Sequence, residues 1–282
     1  MPGQWHESAV PGDELPRPDI DPSVPHIARI YDYWLGGKDN FAADRRVAQE
    51  ILEAAPGTVQ NVRANRAFLG RVVRYLAGPE GVRQFLDIGT GVPAADNTHE
   101  VAQSVAPECH VVYVDNDPIV LAHARALLTS PTGRTAYIDA DIREPGKILA
   151  AAASTLDFGQ PVAVMMLAVL HVIEDGDDPG GIVARTMEAL PPGSFLAISH
   201  GASDINTAVM ADVAGRLKTL MPPGQKPAFR DRAEVSRFFS GLDLLEPGVV
   251  PVPEWRPDAG TAVASNIPMW GGVARKPPAP AP

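Results

Sequence analysis

Cysteine is nearly absent from this 282-residue chain: Cys109 is the only one. No disulfide can form within the chain, and no set of thiolates can hold a metal. The seven histidines show no H-E-x-x-H or related spacing, so no metal site is expected. No apolar run reaches the roughly 18 residues that a membrane helix needs. The N-terminus carries Glu7, Asp13 and Glu14 among prolines, where a signal peptide would have a basic start and an apolar stretch. These absences together predict a cytoplasmic protein with no membrane partner. Basic residues are also the minority, 24 Lys and Arg against 34 Asp and Glu, a net charge of −10. Such a surface repels phosphate backbones, so nucleic acid is not an expected partner. The sequence leaves the oligomeric state open.

Proline and glycine are plentiful, 29 and 25 residues, and they punctuate the chain. Residues 1–25 hold six prolines and several acids and read as a disordered or draped arm, and 277–282 as a Pro/Ala tail. Residues 26–80 show helical periodicity throughout: Ile27, Ile30, Tyr31 and Trp34, stopped by Gly36-Gly37; then Phe41, Val47, Ile51 and Leu52; then Val62, Leu69, Val72, Val73 and Leu76. This segment is expected to form a helical cap or lid.

After residue 80 the pattern changes to short apolar runs alternating with helical stretches. Strands are expected at 82–88, 110–114, 136–138, 162–167 and 194–199. Helices are expected near 97–106, 118–128, 145–155, 181–190 and 205–220. This alternation predicts an α/β fold: a Rossmann-like, mostly parallel sheet with helices on both faces. Residues 242–252 and 267–274 read as two further strands without a helix between them. They are expected to close the sheet edge as an antiparallel pair, with Trp255 in the connection.

The segment Phe85-Leu-Asp-Ile-Gly-Thr-Gly-Val-Pro93 carries the most chemical information. A buried strand enters a glycine turn and then a helix, the place where open parallel sheets bind ligands. Gly89-Thr90-Gly91-Val-Pro-Ala94 fits the G-x-G-x-x-A form of the dinucleotide fingerprint, which keeps an NAD-linked oxidoreductase as an alternative. Asp87 argues against a pyrophosphate by charge, and Pro93 removes a backbone N–H donor. A cationic nucleoside such as S-adenosylmethionine fits the carboxylate better. Asp115 ends the second strand, where a carboxylate can accept both ribose hydroxyls, and Asn116 can flank the adenine. Asp117, followed by Pro118, reads as a helix N-cap. Asp141 and the backbone of Ile142 suit the adenine edge, with Asp139 as the alternative for the acid.

At this point a family resemblance is legible. The Asp-x-Gly-x-Gly turn, Asp115 and the Ala140-Asp141 loop resemble class I S-adenosylmethionine methyltransferases. More narrowly, Ala28-Arg-Ile-Tyr-Asp-Tyr-Trp-Leu-Gly-Gly-Lys-Asp-Asn-Phe41 resembles the N-terminal signature of an actinobacterial S-adenosyl methyltransferase family long described as a domain of unknown function. Gln84–Gly91, Tyr113–Pro118 and Ala140–Arg143 extend the likeness, which spans residues 20–276. The resemblance implies a seven-stranded Rossmann-like sheet over 81–276 and S-adenosyl-L-methionine as cofactor. It names no acceptor. The third glycine of the usual loop is Pro93 here, which stiffens the turn.

Methyl transfer is an in-line displacement for which alignment supplies much of the acceleration, so a general base is optional. Leu167 and Ala168 follow the fourth strand and can touch the cofactor through backbone atoms. His171 is the candidate base or acceptor-orienting residue, and otherwise a packing histidine. His200 is a weaker candidate. In the N-terminal signature, Tyr31, Tyr33, Lys38 and Asn40 can belong to a lid, with Lys38 on the methionyl carboxylate or simply following a helix stop. Arg66 or Arg63 can hold that carboxylate bidentately, or lie on a solvated helix face. The acidic surface and helical cap lead to an expected small-molecule acceptor. A non-catalytic S-adenosylmethionine-binding module stays open beside the enzyme reading.

Overall fold

The computed structural model describes residues 20–120, 122 and 134–278. Most of the N-terminal arm, the last residues of the tail and most of the helix expected at 118–128 lie outside the described residues. Pro118–Val120 are helical.

The apolar runs form a sheet in the order β3-β2-β1-β4-β5-β8-β6. Its parallel part comprises β1 (Gln84–Ile88), β2 (His110–Asp115), β3 (Thr135–Asp139), β4 (Ala163–Leu167) and β5 (Phe195–Gly201). Every residue of β1, β4 and β5 is buried, as expected for central strands covered on both faces. The last strand, β8 (Met269–Arg275), runs antiparallel to β5. Beyond it the expected single strand at 242–252 is split into β6 (Asp243–Leu244) and β7 (Val250–Pro251), both paired with β8. Between them Pro247 has no N–H to donate and Gly248 sits at φ +90°, so the ladder breaks there.

Three helices precede the sheet: α1 (Ile27–Leu35), α2 (Ala42–Ala54) and α3 (Thr58–Ala77). Gly36 ends α1 at φ +86°, a left-handed position that glycine adopts without steric cost. Asp44, in the first turn of α2, accepts the Phe41 N–H at 2.8 Å. The α-helices that follow and lie wholly among the described residues are α4 (Thr98–Val105), α5 (Pro145–Ala152), α6 (Pro179–Glu188), α7 (Thr207–Leu220) and α8 (Arg232–Arg237). The short α8 was not anticipated from periodicity. Its reciprocal Asp231–Glu234 capping box was nonetheless present in the sequence as a start signal. No helix among the described residues is long and apolar enough to cross a membrane.

Burial divides into three clusters. On one sheet face α3 and α4 pack over Phe85, Val111, Tyr113 and Met165. On the other, α5, α6 and α8 pack over Leu86, Val112, Val164 and Ile198. The third cluster joins α1, α2 and α7 through Ile30, Trp34, Val47, Ile51, Val213 and Leu217. Thus α3 lies on the sheet, while α1 and α2 pack with α7.

Trp255 locks the C-terminal connection to α3. Its ring is fully buried and meets Phe68 and Tyr75 edge-on at 5.6 and 5.9 Å between centroids. Arg71 donates to the carbonyls of Trp255 and Val252 at 3.0 and 2.7 Å. The indole N–H has no partner among the described residues. Trp255→Ala is expected to destabilise by about 3–5 kcal/mol through the cavity it leaves. Trp255→Phe is expected to lose less than half of that, because it keeps a ring and removes an unsatisfied donor. Urea unfolding monitored by circular dichroism checks both values.

Candidate active site

From β1 the chain proceeds outward through β2 and β3, then crosses back to β4 on the other side of β1. Loops leaving β1 and β4 therefore diverge and open a crevice at the carboxyl ends of the strands. A cavity of about 440 Å³ occupies this crevice, in the size range of small-molecule sites. It extends from the tips of β1 and β2 to a space between α1, α2 and α7.

The glycine turn is fastened to β2. Gly89 N–H donates to the Val114 carbonyl at 2.8 Å, and Gly91 N–H to Asp115 Oδ2 at 2.8 Å. Gly89 has φ +76°, and a Cβ there would lie 2.4 Å from Val169 Cγ2. Gly91 has φ +69° with open space where a Cβ would project. Thr90 Oγ1 donates back to the Asp87 carbonyl at 3.1 Å, closing the turn.

Asp87 and Asp115 both line the cavity and are only 5% and 7% exposed. Thr98 Oγ1, in the first turn of α4, donates to Asp87 Oδ2 at 2.6 Å. Burial pushes the Asp87 carboxyl up to about 6, against the opposing influence of the Thr98 bond and the Arg66 charge. Burial also raises Asp115, although its oxygens accept from Gly91 N and from Asp117 N at 2.9 Å. Each of these oxygens retains acceptor capacity. Asp117 accepts the Ile119 N–H at 2.9 Å in capping fashion, and its other oxygen lies 2.8 Å from His26 Nδ1. Asn116 and Ile142 line the cavity. Asp141 does not itself line the cavity, although Ala140, Ile142 and Arg143 around it do: Asn116 Nδ2 donates to it at 3.1 Å, and it pairs with Arg143 at 3.2 Å. Asp139, exposed at the end of β3, is not brought in.

From α3, Arg66 reaches the cavity and donates to the carbonyls of Ala95 and Asp96 at 2.7 and 2.8 Å, while Arg63 faces solvent. Tyr33 and Lys38 are not brought to the cavity. The Tyr33 hydroxyl accepts from Gln49 on α2, and Lys38 is exposed just past the helix stop. Asn40 is used in the loop, donating to Asp32 at 2.8 Å. Tyr31 does line the cavity, and it begins a hydrogen-bond chain not anticipated from sequence. Asn65 Nδ2 donates to Tyr31 Oη at 3.0 Å, Ser199 Oγ donates to Asn65 Oδ1 at 2.6 Å, and Ala168 N–H donates to Ser199 Oγ at 3.0 Å. Ala168 is held at φ +55°, a left-handed conformation that costs a non-glycine residue on the order of 1 kcal/mol. No sequence signal pointed to Asn65, because its role depends on α3 crossing the end of β5.

Leu167, Ala168 and His171 line the cavity beyond β4. His200 does not. Its Nδ1 donates to the Gly201 carbonyl at 2.9 Å, and its Nε2 accepts from Arg230 at 3.0 Å, so both nitrogens are committed. Among the described residues no group of three or more His, Cys, Asp or Glu is arranged to hold a metal.

Two buried acids beside an open glycine cradle suit a cationic nucleoside and oppose a diphosphate. The family model for S-adenosyl methyltransferases matches residues 13–277. The chain belongs to the S-adenosyl methyltransferase family. It is an S-adenosylmethionine-dependent methyltransferase with a Rossmann-like fold, and the dinucleotide alternative is set aside. A DUF574 family protein from Streptomyces avermitilis MA-4680 is 47% identical, with 91% of this chain and 99% of that one covered at a TM-score of 0.87. A protein from Thermobifida fusca YX classed as a methyltransferase is 39% identical, with 94% and 99% covered at a TM-score of 0.85. An O-methyltransferase family protein from Burkholderia thailandensis shares the fold at 14% identity and a TM-score of 0.50, over 88% of this chain and 70% of that one. No curated protein matches the sequence.

The raised Asp87 has a consequence for stability in this methyltransferase. An acid whose folded value, about 6, exceeds the ordinary 3.8 prefers to be protonated in the folded chain. Its stabilising contribution is full below pH 3.8 and is lost as pH rises through about 6. Asp87→Asn keeps an oxygen to accept from Thr98 and removes the buried charge. At pH 7.5 the ligand-free variant is expected to be more stable, by on the order of 2–3 kcal/mol. A thermal melt that falls instead of rising contradicts this account of Asp87.

Proposed function

We infer that this methyltransferase transfers its methyl group to a small, largely apolar molecule held between α1, α2 and α7. The observation that carries the reading is the continuity of the cavity. At one end are Asp87, Asp115 and the glycine turn. At the other are Trp34, Leu35 and Ile51 from the N-terminal helices, Met210, Val213 and Leu217 from α7, and Phe229.

Each cofactor-binding role follows from the donor set. Asp115 and the Gly91 turn suit the ribose hydroxyls, with Thr90 shaping the turn. Asn116 and Ile142 suit the adenine, with Asp141, outside the lining, acting there through its bond from Asn116. Asp87 faces the cationic methionyl amine, directly or through water. Arg66 spends one terminal nitrogen on the loop carbonyls of Ala95 and Asp96 and has further N–H groups for the methionyl carboxylate. Leu167 and Ala168 contribute backbone contacts beside the reacting end. When bound, S-adenosylmethionine supplies an electrophilic methyl group on a cationic sulfur.

The protein's own part is alignment and exclusion of water. Of the helical segment 26–80, α1 and α2 provide the cover by closing the apolar end, and α3 supports them from the sheet. Two links fasten α1 over the crevice: Arg29 Nε lies 4.0 Å from Asp117 Oδ2, beside His26, and Ile27 N–H donates to Gln225 Oε1 at 3.0 Å; Arg29 also pairs with Asp44 at 3.2 Å and so ties α1 to α2. Greasy walls and a net charge of −10 disfavour a polyanion as acceptor.

Two measurements test this. With S-adenosylhomocysteine in a calorimeter, Arg66→Ala is expected to lose at least about tenfold in affinity, and Arg63→Ala less than about twofold. Equal losses would remove Arg66 from the site. With methyl-labelled cofactor and a Streptomyces cell extract, label is expected in the organic-soluble metabolites. Label confined to acid-precipitated protein or nucleic acid would overturn the small-molecule assignment.

A further inference from the structure

Among the groups at the reacting end of the cavity, His171 has a protonation pattern fixed by its surroundings. The Gly201 backbone N–H donates to His171 Nδ1 at 3.4 Å. A backbone N–H can only donate, so Nδ1 carries the lone pair and the neutral ring carries its proton on Nε2. Nε2 has no hydrogen-bond partner among the described residues, and the ring lines the cavity. It stands edge-on to His200 and to Phe229, with centroids 5.8 and 5.9 Å away. The Arg230 guanidinium on the far side of His200 adds a positive charge. Burial and that charge push His171 down to about 4, so it does not become a cation near neutral pH. In this state His171 offers the cavity a donor and no base.

The other acceptors of protons lining the cavity lie elsewhere. Asp87 and Asp115 belong to the cofactor end, and His26 faces Asp117. The Tyr31 phenol, raised by burial, holds its proton. A hydroxyl acceptor that enters this chamber must therefore lose its proton before it binds. A donor aimed at a nucleophile with a single lone pair blocks that pair, whereas an oxygen anion keeps others free for attack.

We propose that His171 binds the acceptor by donating its Nε2–H to an oxygen that is already ionised, so that the substrate is an apolar molecule bearing an acidic hydroxyl of phenolic or enolic kind. The hydroxyl proton leaves to water outside the protein. One oxygen lone pair forms the new O–C bond as the C–S bond breaks, its electron pair stays on sulfur, and His171 keeps its proton throughout. This rests on the cofactor and acceptor ends being assigned as above.

The test uses the full-length protein loaded with S-adenosylhomocysteine, whose binding is first measured by calorimetry. Absence of that binding would sink the site assignment, and only loaded protein bears on His171. In protein with ¹⁵N-labelled histidine, Nδ1 of His171 is expected to be pyridine-like and Nε2 pyrrole-like, unchanged from about pH 6 to about pH 8. The opposite tautomer, or titration in that range, overturns the proposal. As acceptor probe, 4-nitrophenol reports its own ionisation by colour. The loaded protein is expected to bind the phenolate form. His171→Phe is expected to weaken binding at least about tenfold, and His171→Gln, which restores an N–H donor, to recover most of it. No binding at millimolar probe, binding of the un-ionised phenol, or equal binding by His171→Phe each overturns the acidic-hydroxyl assignment.

Discussion

Keeping two carboxylates out of water at the tips of adjacent parallel strands is unfavourable for the ligand-free protein, and the arrangement around them follows from that constraint. Asp87 is countered by the Thr98 hydroxyl and the nearby Arg66, and Asp115 by two backbone N–H groups. Neither has a full counter-ion in contact. Charge of the opposite sign arriving in the crevice relieves both at once, which favours a cationic ligand over an anionic one.

The same constraint explains why the N-terminal helices matter to a site built on the sheet. The third buried acid of this end, Asp117, faces His26 at the start of α1, and Asp44 at the start of α2 takes Arg29. Arg29 also reaches within 4.0 Å of Asp117 and Ile27 N–H donates to Gln225, so the cover is held at its rim by polar links while its interior is apolar. A rim of polar links around an apolar lining lets the chamber exclude water and still be joined to the strand ends.

At the reacting end, polar groups are tied to one another before any ligand arrives. Tyr31, Asn65, Ser199 and the Ala168 backbone form one chain from α1 to the end of β4. That chain holds Ala168 in its left-handed conformation, and Val169 next to it packs against the space that Gly89 leaves free. The glycine turn and the β4 loop therefore determine each other's position, and Pro93 adds stiffness on the outgoing side.

Much of this was legible in one dimension. Strand periodicity, the glycine turn and the acids at 87 and 115 depend on neighbours within a few residues, and the parallel sheet followed from alternation. The antiparallel closure was legible too, but the break at Pro247-Gly248 was not read. Other features required the fold. Tyr33 and Lys38 lie in the same signature as Tyr31, yet helix phase and the Gly36 stop send them away from the cavity. Arg66 and Arg63 differ in sequence by less than one helical turn, and only the packing of α3 on the sheet decides which one reaches the loop. Asn65 gains its role from a contact 134 residues away. The chain's own pattern determined the sheet and its acidic tips because local periodicity and turn chemistry dictate them; which side chains meet in the crevice was decided by tertiary packing, because that depends on where distant helices cross the strand ends.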